Sequence, residues 1–189
     1  MNHLGTKRLE TERLVLRRGT MEDVNAMYRN WASDPEVTKF LSWPTHTDEG
    51  VSAAVMADWV KRCELPDCYL WVIELKALGE IIGSISVVNS SDERIQAMEI
   101  GYCIGKRWWH QGITSEALGR VLDFLFDEVG ARRISARHDP RNPHSGDVMR
   151  KCGMKYEGTH RQADWNNQGI CDAAYYAMLA EERMGGKHV

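Results

Sequence analysis

The segment from residue 106 to residue 117, KRWWHQGITSEA, constrains the fold more than any other part of the chain. Residues 97–104 precede it as a largely apolar run of the length of a strand. Residues 114–127 follow it, and their apolar side chains recur at helical spacing. A strand joined to a helix through one glycine and two hydroxyl residues predicts a sheet with a helix packed on its face.

The remaining segments predict the same fold class. Residues 13–18 alternate like an edge strand, and residues 69–75 and 80–88 are two strands joined by a short turn. The other predicted elements are helices at 20–32, 47–65 and 145–151, and strands at 133–137, 154–161 and 171–179. The second helix is expected to present one apolar face, formed by Val51, Val55, Trp59 and Val60. The order of elements predicts an α/β fold with helices on both faces of one mixed sheet.

Length and composition exclude several classes of protein. The chain of 189 residues is long enough for one well-buried domain, so residues 1–189 are expected to form a single domain. A net charge of −3, from 27 acidic and 24 basic side chains, argues against direct nucleic-acid binding. Neither a membrane-spanning apolar run nor a signal peptide is evident. Five cysteines without a CxxC pair predict free thiols and a cytoplasmic location.

The loop between the central strand and the long helix has the features of a phosphate site. The first N–H groups of a helix lack internal partners, and the helix dipole places partial positive charge there. Gly112 has no Cβ and allows a close approach to the backbone. Thr114 and Ser115 add hydroxyl groups, although both are also ordinary helix-capping residues. The loop lacks the Gly-Lys-Ser/Thr ending of a Walker A site and the GxGxxG pattern of a Rossmann site.

This loop resembles the acetyl-CoA pyrophosphate loop of the GNAT N-acetyltransferases, whose pattern is Gln/Arg-x-x-Gly-x-Gly/Ala. Trp109 stands at the Gln/Arg position, Gly112 at the glycine and Thr114 at the last small residue. The tryptophan and the following Glu-Ala are similar to the RimJ/RimL branch, which acetylates ribosomal proteins. Further matches to that branch are FLSWP at 40–44, EIGY at 99–102 and NPHSGDVMRKCGMKYEG at 142–158. The resemblance covers about residues 8–182.

The resemblance implies a fold and a cofactor site. In the family, two central strands splay apart, here residues 97–104 and 133–137, and the pantetheine arm of acetyl-CoA lies between them. The resemblance implies that a Trp-Pro turn, here Trp43 and Pro44, contacts the acceptor. The residues that it implies for acetyl-CoA are Cys103, Ile104, His110, Gln111, Gly112, Ile113, Thr114, Ser115 and Asn142. From the residues alone, Asn142 before a proline is also typical of a turn or a helix cap.

The implied reaction transfers an acetyl group from acetyl-CoA, a co-substrate, to an amine without a metal. Many GNATs use a tyrosine as general acid, but here Met149 occupies that position and cannot donate a proton. The Rim-type pattern suggests Ser145 instead, which is also a reasonable helix cap. The amine must lose a proton before it attacks, and Glu99 or Asp164 is the candidate base. Each of these carboxylates also fits an ordinary solvated position.

The expected function is therefore N-acetylation of a primary amine, with the α-amino group of a protein or peptide as the expected acceptor, by direct attack in a ternary complex. Two alternatives stay open: a small-amine acceptor, such as a polyamine or aminoglycoside, and a catalytically silent acyl-CoA sensor that the Met149 departure would suit. A phosphoprotein- or nucleotide-binding domain would use the loop but would leave residues 142–158 unexplained. The last strand pair could also pair with a second chain to form a homodimer.

Overall fold

A computed structural model of the chain describes residues 1–90 and 94–185, with side chains described as far as Arg183. It contains an eight-stranded mixed sheet in the order β1-β2-β3-β4-β5-β6-β8-β7. All neighbouring strands are antiparallel except β5 and β6, which are parallel. The strands are β1 (Leu9–Glu10), β2 (Leu14–Arg17), β3 (Leu70–Leu75), β4 (Glu80–Ser90), β5 (Ala97–Ile104), β6 (Arg133–His138), β7 (Lys155–Asn166) and β8 (Gly169–Leu179).

Six α-helices accompany the sheet in the described part of the chain. They are α1 (Val24–Met27), α2 (Pro35–Thr38), α3 (Glu49–Arg62), α4 (Ile113–Phe124), α5 (Pro143–Lys151) and α6 (Ala180–Gly185). Single π-helical turns extend α1 to Ala32 and α4 to Val129. Gly130, at φ +80°, ends the longest of these segments as a left-handed C-cap. No described helix is long and apolar enough to cross a bilayer.

The helices bury two separate apolar groups, one on each face of the sheet. Leu118, Val121 and Leu122 of α4 belong to the larger group, which includes the central strands. Met27 and Trp31 of the first helical segment lie in the smaller group, with Met56 of α3 and Val72 and Ile81 of the sheet. The predicted mixed sheet with helices on both faces is confirmed.

Several local predictions were wrong. The strand at 13–18 is not at the edge, because β2 lies between β3 and the two-residue β1, which is too short to show alternation. Val51 and Val60 are 36% and 37% exposed, whereas Ser52 and Met56 form the buried side of α3. The short helix α2 was missed, although Asp34 caps it by accepting from Glu36 N–H at 2.9 Å.

The central strands separate after a short region of pairing. β5 pairs with β6 only from Ala97 to Glu99, opposite Arg133 to Ser135. β5 then continues to Ile104 while it remains paired with β4, and β6 continues to His138 while it remains paired with β8. The predicted splay of residues 97–104 and 133–137 is therefore confirmed, and it opens a cleft at the carboxyl end of β5.

Candidate active site

A cavity of about 390 Å³ lies where β5 and β6 separate. Its walls are the end of β5, the loop before α4, the first turns of α4 and α5, and residues 36–41 around α2. Nine of the residues predicted at the site line it: Cys103, Ile104, His110, Gly112, Ile113, Thr114, Ser115, Asn142 and Ser145. The structure thus places residues from three separate segments, all named from the sequence pattern, around one cavity.

The loop before α4 holds an uncommon backbone conformation. His110 and Gly112 have φ angles of +60° and +73°, in the left-handed region that residues other than glycine rarely adopt. The first bond into the helix runs from Glu116 N–H to Gly112 O at 3.0 Å. The N–H groups of Ile113, Thr114 and Ser115 precede that bond and are therefore available at a helix N-terminus. This arrangement suits an anion such as a diphosphate.

A segment that is distant in sequence stabilises the loop through hydrogen bonds, and the sequence analysis did not predict this contact. Glu116 accepts hydrogen bonds from Thr11 Oγ1 at 2.5 Å and from Arg13 Nε at 2.6 Å. The guanidinium of Arg13 also donates to the carbonyl of Gln111 at 3.0 Å. Burial by itself would raise the pKa of Glu116, but the bonds from Thr11 and Arg13 outweigh it and lower that pKa. Arg13, the residue before β2, therefore contacts both ends of the turn, at Gln111 and Glu116.

The two tryptophans of the loop pack against the apolar groups of the sheet, and both also line the cavity. Trp108 is 6% exposed and lies under Gly105, while Trp109 donates from Nε1 to the carbonyl of Ile104 at 2.9 Å. Gln111 turns its side chain back to the carbonyl of Arg107 at 2.9 Å. Gln111 is absent from the described lining of the cavity, and the contact predicted for its backbone amide stays a prediction.

Ser145 faces a tyrosine rather than the end of its own helix. Its Oγ donates to the hydroxyl of Tyr102 at 3.2 Å, and that hydroxyl donates to the Ser145 carbonyl at 2.8 Å. The N-cap of α5 is Asn142, so the reading of Ser145 as the cap is wrong. The Asn142 side chain makes no capping bond within the described structure and lines the cavity. Met149 is 1% exposed and belongs to the core.

Tyr102 is a site residue that the sequence analysis did not name. It lies near the end of β5, lines the cavity and packs against the larger apolar group. Burial raises the pKa of its hydroxyl well above the ordinary value, so the phenol stays protonated and can always donate. The EIGY match contains this tyrosine, but its partner Ser145 is 43 positions away, which the motif did not reveal.

The two candidate bases meet at one arginine. Arg137 of β6 pairs with Glu99 of β5 through Nη1 and with Asp164 of β7 through Nε, the latter at 2.6 Å. The second oxygen of Glu99 accepts from Asn89 at 3.1 Å, and that of Asp164 accepts from the Trp165 N–H at 2.9 Å. Neither carboxylate is among the described cavity-lining residues. The structure thus brings them together beside the cleft, with all four oxygens already hydrogen-bonded.

Trp43 and Pro44 are not among the described residues that line the cavity, and their contact with the acceptor stays a prediction. Trp43 packs beside His46, with ring centres 5.4 Å apart, and Pro44 is exposed. Phe40 and Leu41, from the same motif, line the cavity. Asn167, in the turn between β7 and β8, fixes this segment. Its backbone N–H donates to the Leu41 carbonyl at 3.1 Å, and its side chain donates to the carbonyls of Thr38 and Trp43, each at 2.8 Å.

The family follows from the comparison with known proteins. Residues 13–155 match the family model described as Acetyltransferase (GNAT) domain. The chain belongs to the GNAT acetyltransferases. It is a GNAT-type N-acetyltransferase of the RimJ/RimL-like branch, which confirms the resemblance seen in the loop and in residues 142–158.

Curated GNAT relatives match most of the chain. The N-acetyltransferase p20 of Bacillus licheniformis is 30% identical over 178 residues, which is 94% of this chain and 98% of that protein. The [ribosomal protein uS5]-alanine N-acetyltransferase of Escherichia coli is 33% identical over 79 residues, 42% of this chain and 41% of that protein. The first relative matches the GNAT chain nearly end to end, while the second matches one part of it.

Solved GNAT structures share the fold. A GNAT-family acetyltransferase from Bacillus anthracis superposes with a TM-score of 0.81 at 26% identity, covering 93% of this chain and 100% of that one. RimL, an α-N-acetyltransferase of ribosomal L7/L12 solved with coenzyme A, gives a TM-score of 0.82 at 20% identity, covering 93% and 99%. At that identity the RimL likeness concerns the fold alone.

Proposed function

We propose that this enzyme transfers the acetyl group of acetyl-CoA to the N-terminal α-amino group of a protein or peptide. The main support for this proposal is that one cavity contains a helix N-terminus, the free edge of a splayed strand and the Ser145–Tyr102 hydroxyl pair. These three parts suit the three parts of the donor: its diphosphate, its pantetheine amides and its thioester.

The chemistry of the cavity suits parts of acetyl-CoA. Its volume of about 390 Å³ is within the usual range for small-molecule sites. The N–H groups of residues 110–115 would hold the diphosphate, as helix N-termini commonly do. The unpaired edge of β5 near Cys103 and Ile104 would bond the pantetheine amides in the manner of an added strand. Asn142 would bond the donor from the α5 side.

The residues of the chain then have separate duties in a direct transfer. The neutral amine nitrogen attacks the acetyl carbon, and the carbon–sulfur bond breaks with its electron pair going to sulfur. Ser145 is the hydroxyl at the cavity wall that would donate to this departing sulfur. Glu99 and Asp164 remain the candidate bases, acting directly or through water. Either would have to exchange part of its bonding with Arg137 for the incoming amine.

A protein N-terminus is the favoured acceptor because of the relatives. The matched part of the E. coli uS5-alanine N-acetyltransferase supports a protein substrate for this chain too. The cavity also opens beside Phe40 and Leu41, an apolar surface that would suit the first side chain of a peptide.

An acceptor panel tests the proposal. Release of free thiol from acetyl-CoA would be measured with peptides that begin with Ala or Ser, with spermidine and with an aminoglycoside. The matched control is the same peptide with a blocked α-amino group and one internal lysine. We expect turnover with the free N-terminus and none with the blocked peptide. Turnover with the small amines alone would refute the acceptor assignment, and binding of acetyl-CoA without any turnover would leave a sensor.

Ser145→Ala tests the chemistry in the same assay. We expect kcat to fall about 100-fold, a typical effect of removing one hydrogen-bond donor to developing charge, while the affinity for acetyl-CoA changes little. Ser135→Ala serves as the control, because within the described residues this β6 hydroxyl makes only a long 3.4 Å bond to the Met98 carbonyl. Unchanged turnover in Ser145→Ala would remove Ser145 from the mechanism.

A further inference from the structure

Tyr102 and Ser145 form a closed pair of hydroxyl groups in the cavity wall. The Tyr102 hydroxyl accepts from Ser145 Oγ at 3.2 Å and donates to the Ser145 carbonyl at 2.8 Å. One phenol therefore contacts the side chain and the main chain of the same residue. The tyrosine lies on β5 and the serine on α5, so the pair also crosses the cleft between the two parts of the site.

This contact restricts a side chain that would otherwise be free to rotate. A serine hydroxyl has three staggered positions of similar energy about its first dihedral angle. The bond from Oγ to Tyr102 selects one of them, and the bond to the carbonyl fixes the first turn of α5 to β5. The phenol is itself held by the core and by the pairing of Tyr102 with Ile85 of β4.

The pair lies where the chain lacks the usual acid. Met149 is buried and carries no proton to donate, while the sulfur that leaves the thioester needs a hydrogen-bond donor. Ser145 alone would donate its proton from an oxygen with no further support. A second hydroxyl that can turn toward Oγ would stabilise the negative charge that develops on that oxygen, because hydrogen bonds in a chain strengthen one another.

We infer that Tyr102 is a positioning residue for catalysis, which holds Ser145 Oγ at the cavity and supports it as a donor to the departing sulfur. The inference rests on the proposed function. When Ser145 turns its proton to sulfur, Tyr102 transfers its own hydrogen bond from the Ser145 carbonyl to Oγ. The carbon–sulfur electron pair goes to sulfur, and the proton that completes the free thiol is the one that the amine nitrogen gives up. No net proton is taken from either hydroxyl.

A double-mutant cycle tests whether Tyr102 acts through Ser145. Tyr102→Phe, Ser145→Ala and the double variant would be compared for kcat and for acetyl-CoA affinity by calorimetry. Tyr156→Phe is the matched control, because Tyr156 is exposed on β7 and its hydroxyl contacts only Thr159 among the described residues, at 2.8 Å. We expect Tyr102→Phe to lower kcat about tenfold and to leave affinity within about twofold. In the Ser145→Ala background the same change should alter kcat by less than about twofold.

The outcomes distinguish failure of the role inferred for Tyr102 from failure of the proposed acetyl transfer. If Tyr102→Phe lowers kcat by the same factor with and without Ser145, the tyrosine does not act through the serine. If it weakens acetyl-CoA binding as much as it lowers kcat, its role is to hold α5 in place, and the inference is also overturned. An unchanged kcat overturns it directly. Wild-type protein that turns over no amine would overturn the proposed function and this inference together.

Discussion

The two sides of the cavity are built in different ways. The loop wall, residues 105–116, offers main-chain N–H groups whose positions are set by the φ angles of His110 and Gly112. The acceptor wall, named for its proposed role, consists of residues 36–41, and the side chain of Asn167 holds this segment through hydrogen bonds to carbonyls 124 to 129 positions away. Arg137 of β6 joins carboxylates from β5 and β7.

Because of this difference, we expect the two walls to tolerate different substitutions. Main-chain donors do not depend on the identity of most side chains, so the loop wall should fail only where its conformation or its support fails. Side-chain contacts over long distances depend on each partner, so the acceptor wall should respond to residues far from the cavity. The following variants test that contrast in order of expected effect.

Gly112→Trp should have the largest effect. The residue has φ +73° and faces the cavity, so a large side chain both strains the backbone and fills the diphosphate position. We expect acetyl-CoA affinity, measured by calorimetry, to fall about 1,000-fold, or about 4 kcal/mol. Gly79→Trp is the control, because Gly79 has φ +65° and open space but lies in the β3–β4 turn. Equal loss in both variants would mean that strain alone explains the result.

Glu99→Gln and Asp164→Asn should show which of the two carboxylates acts as the base. Each change keeps the shape of the side chain and removes its basic oxygen. The residue that acts as the base should lose about 100-fold in kcat/KM, whereas loss of a mere partner of Arg137 should cost about threefold. Rates would be measured against pH with a peptide acceptor. If neither variant changes the pH profile, water or the acceptor itself removes the proton.

Glu116→Gln should loosen the loop wall from behind. The change removes the charged partner of Arg13, and we expect acetyl-CoA affinity to fall about tenfold because charge-assisted bonds are the stronger ones. Glu128→Gln, which breaks only the exposed pair with Lys7, is the control. An affinity equal to the wild-type value would show that the charge of Glu116 is not needed to support the loop.

The same carboxylate gives the support a pH dependence. The folded-state pKa of Glu116 is lowered from 4.5, so its stabilising effect is fully present above that value. It should be lost as the pH falls through the folded pKa. The stability difference between wild type and Glu116→Gln, measured by denaturant unfolding, should therefore shrink in acid. A difference that stays constant down to the folded pKa would contradict the assignment.

Asn167→Ala should have the smallest effect, confined to the acceptor. It removes two hydrogen bonds from the segment that carries Phe40 and Leu41, and we expect the acceptor KM to rise about fivefold. The affinity for acetyl-CoA should not change. Gln168→Ala, in the same exposed turn, is the control. A change in acetyl-CoA affinity instead would mean that the two walls are coupled.

The loop wall was predictable from the sequence because its determinants are local. A strand, a glycine that allows close approach to the backbone and a helix start all fall within residues 97–117, and the structure has β5 at Ala97–Ile104, Gly112 as the helix N-cap and α4 from Ile113. The β3–β4 hairpin was predictable for the same reason, since Gly79 supplies the positive φ of its short turn.

The remainder required contacts between distant residues. Nothing in the local pattern relates Arg13 to Glu116, Tyr102 to Ser145, or Asn167 to residues 38–43. The same limit explains why the FLSWP motif was interpreted through Trp43 and Pro44 and not through Phe40 and Leu41. The motif that contains them marks a turn, but only the packed structure shows that Phe40 and Leu41 face inward.

Calorimetric titration of acetyl-CoA into the wild-type protein, with ATP titrated in parallel, tests the central claim most directly. We expect one acetyl-CoA to bind per chain and no comparable binding of ATP, because the splayed edge of β5 suits pantetheine amides that ATP lacks. Binding of ATP without acetyl-CoA, or no binding of acetyl-CoA at all, would contradict the assignment of this cavity.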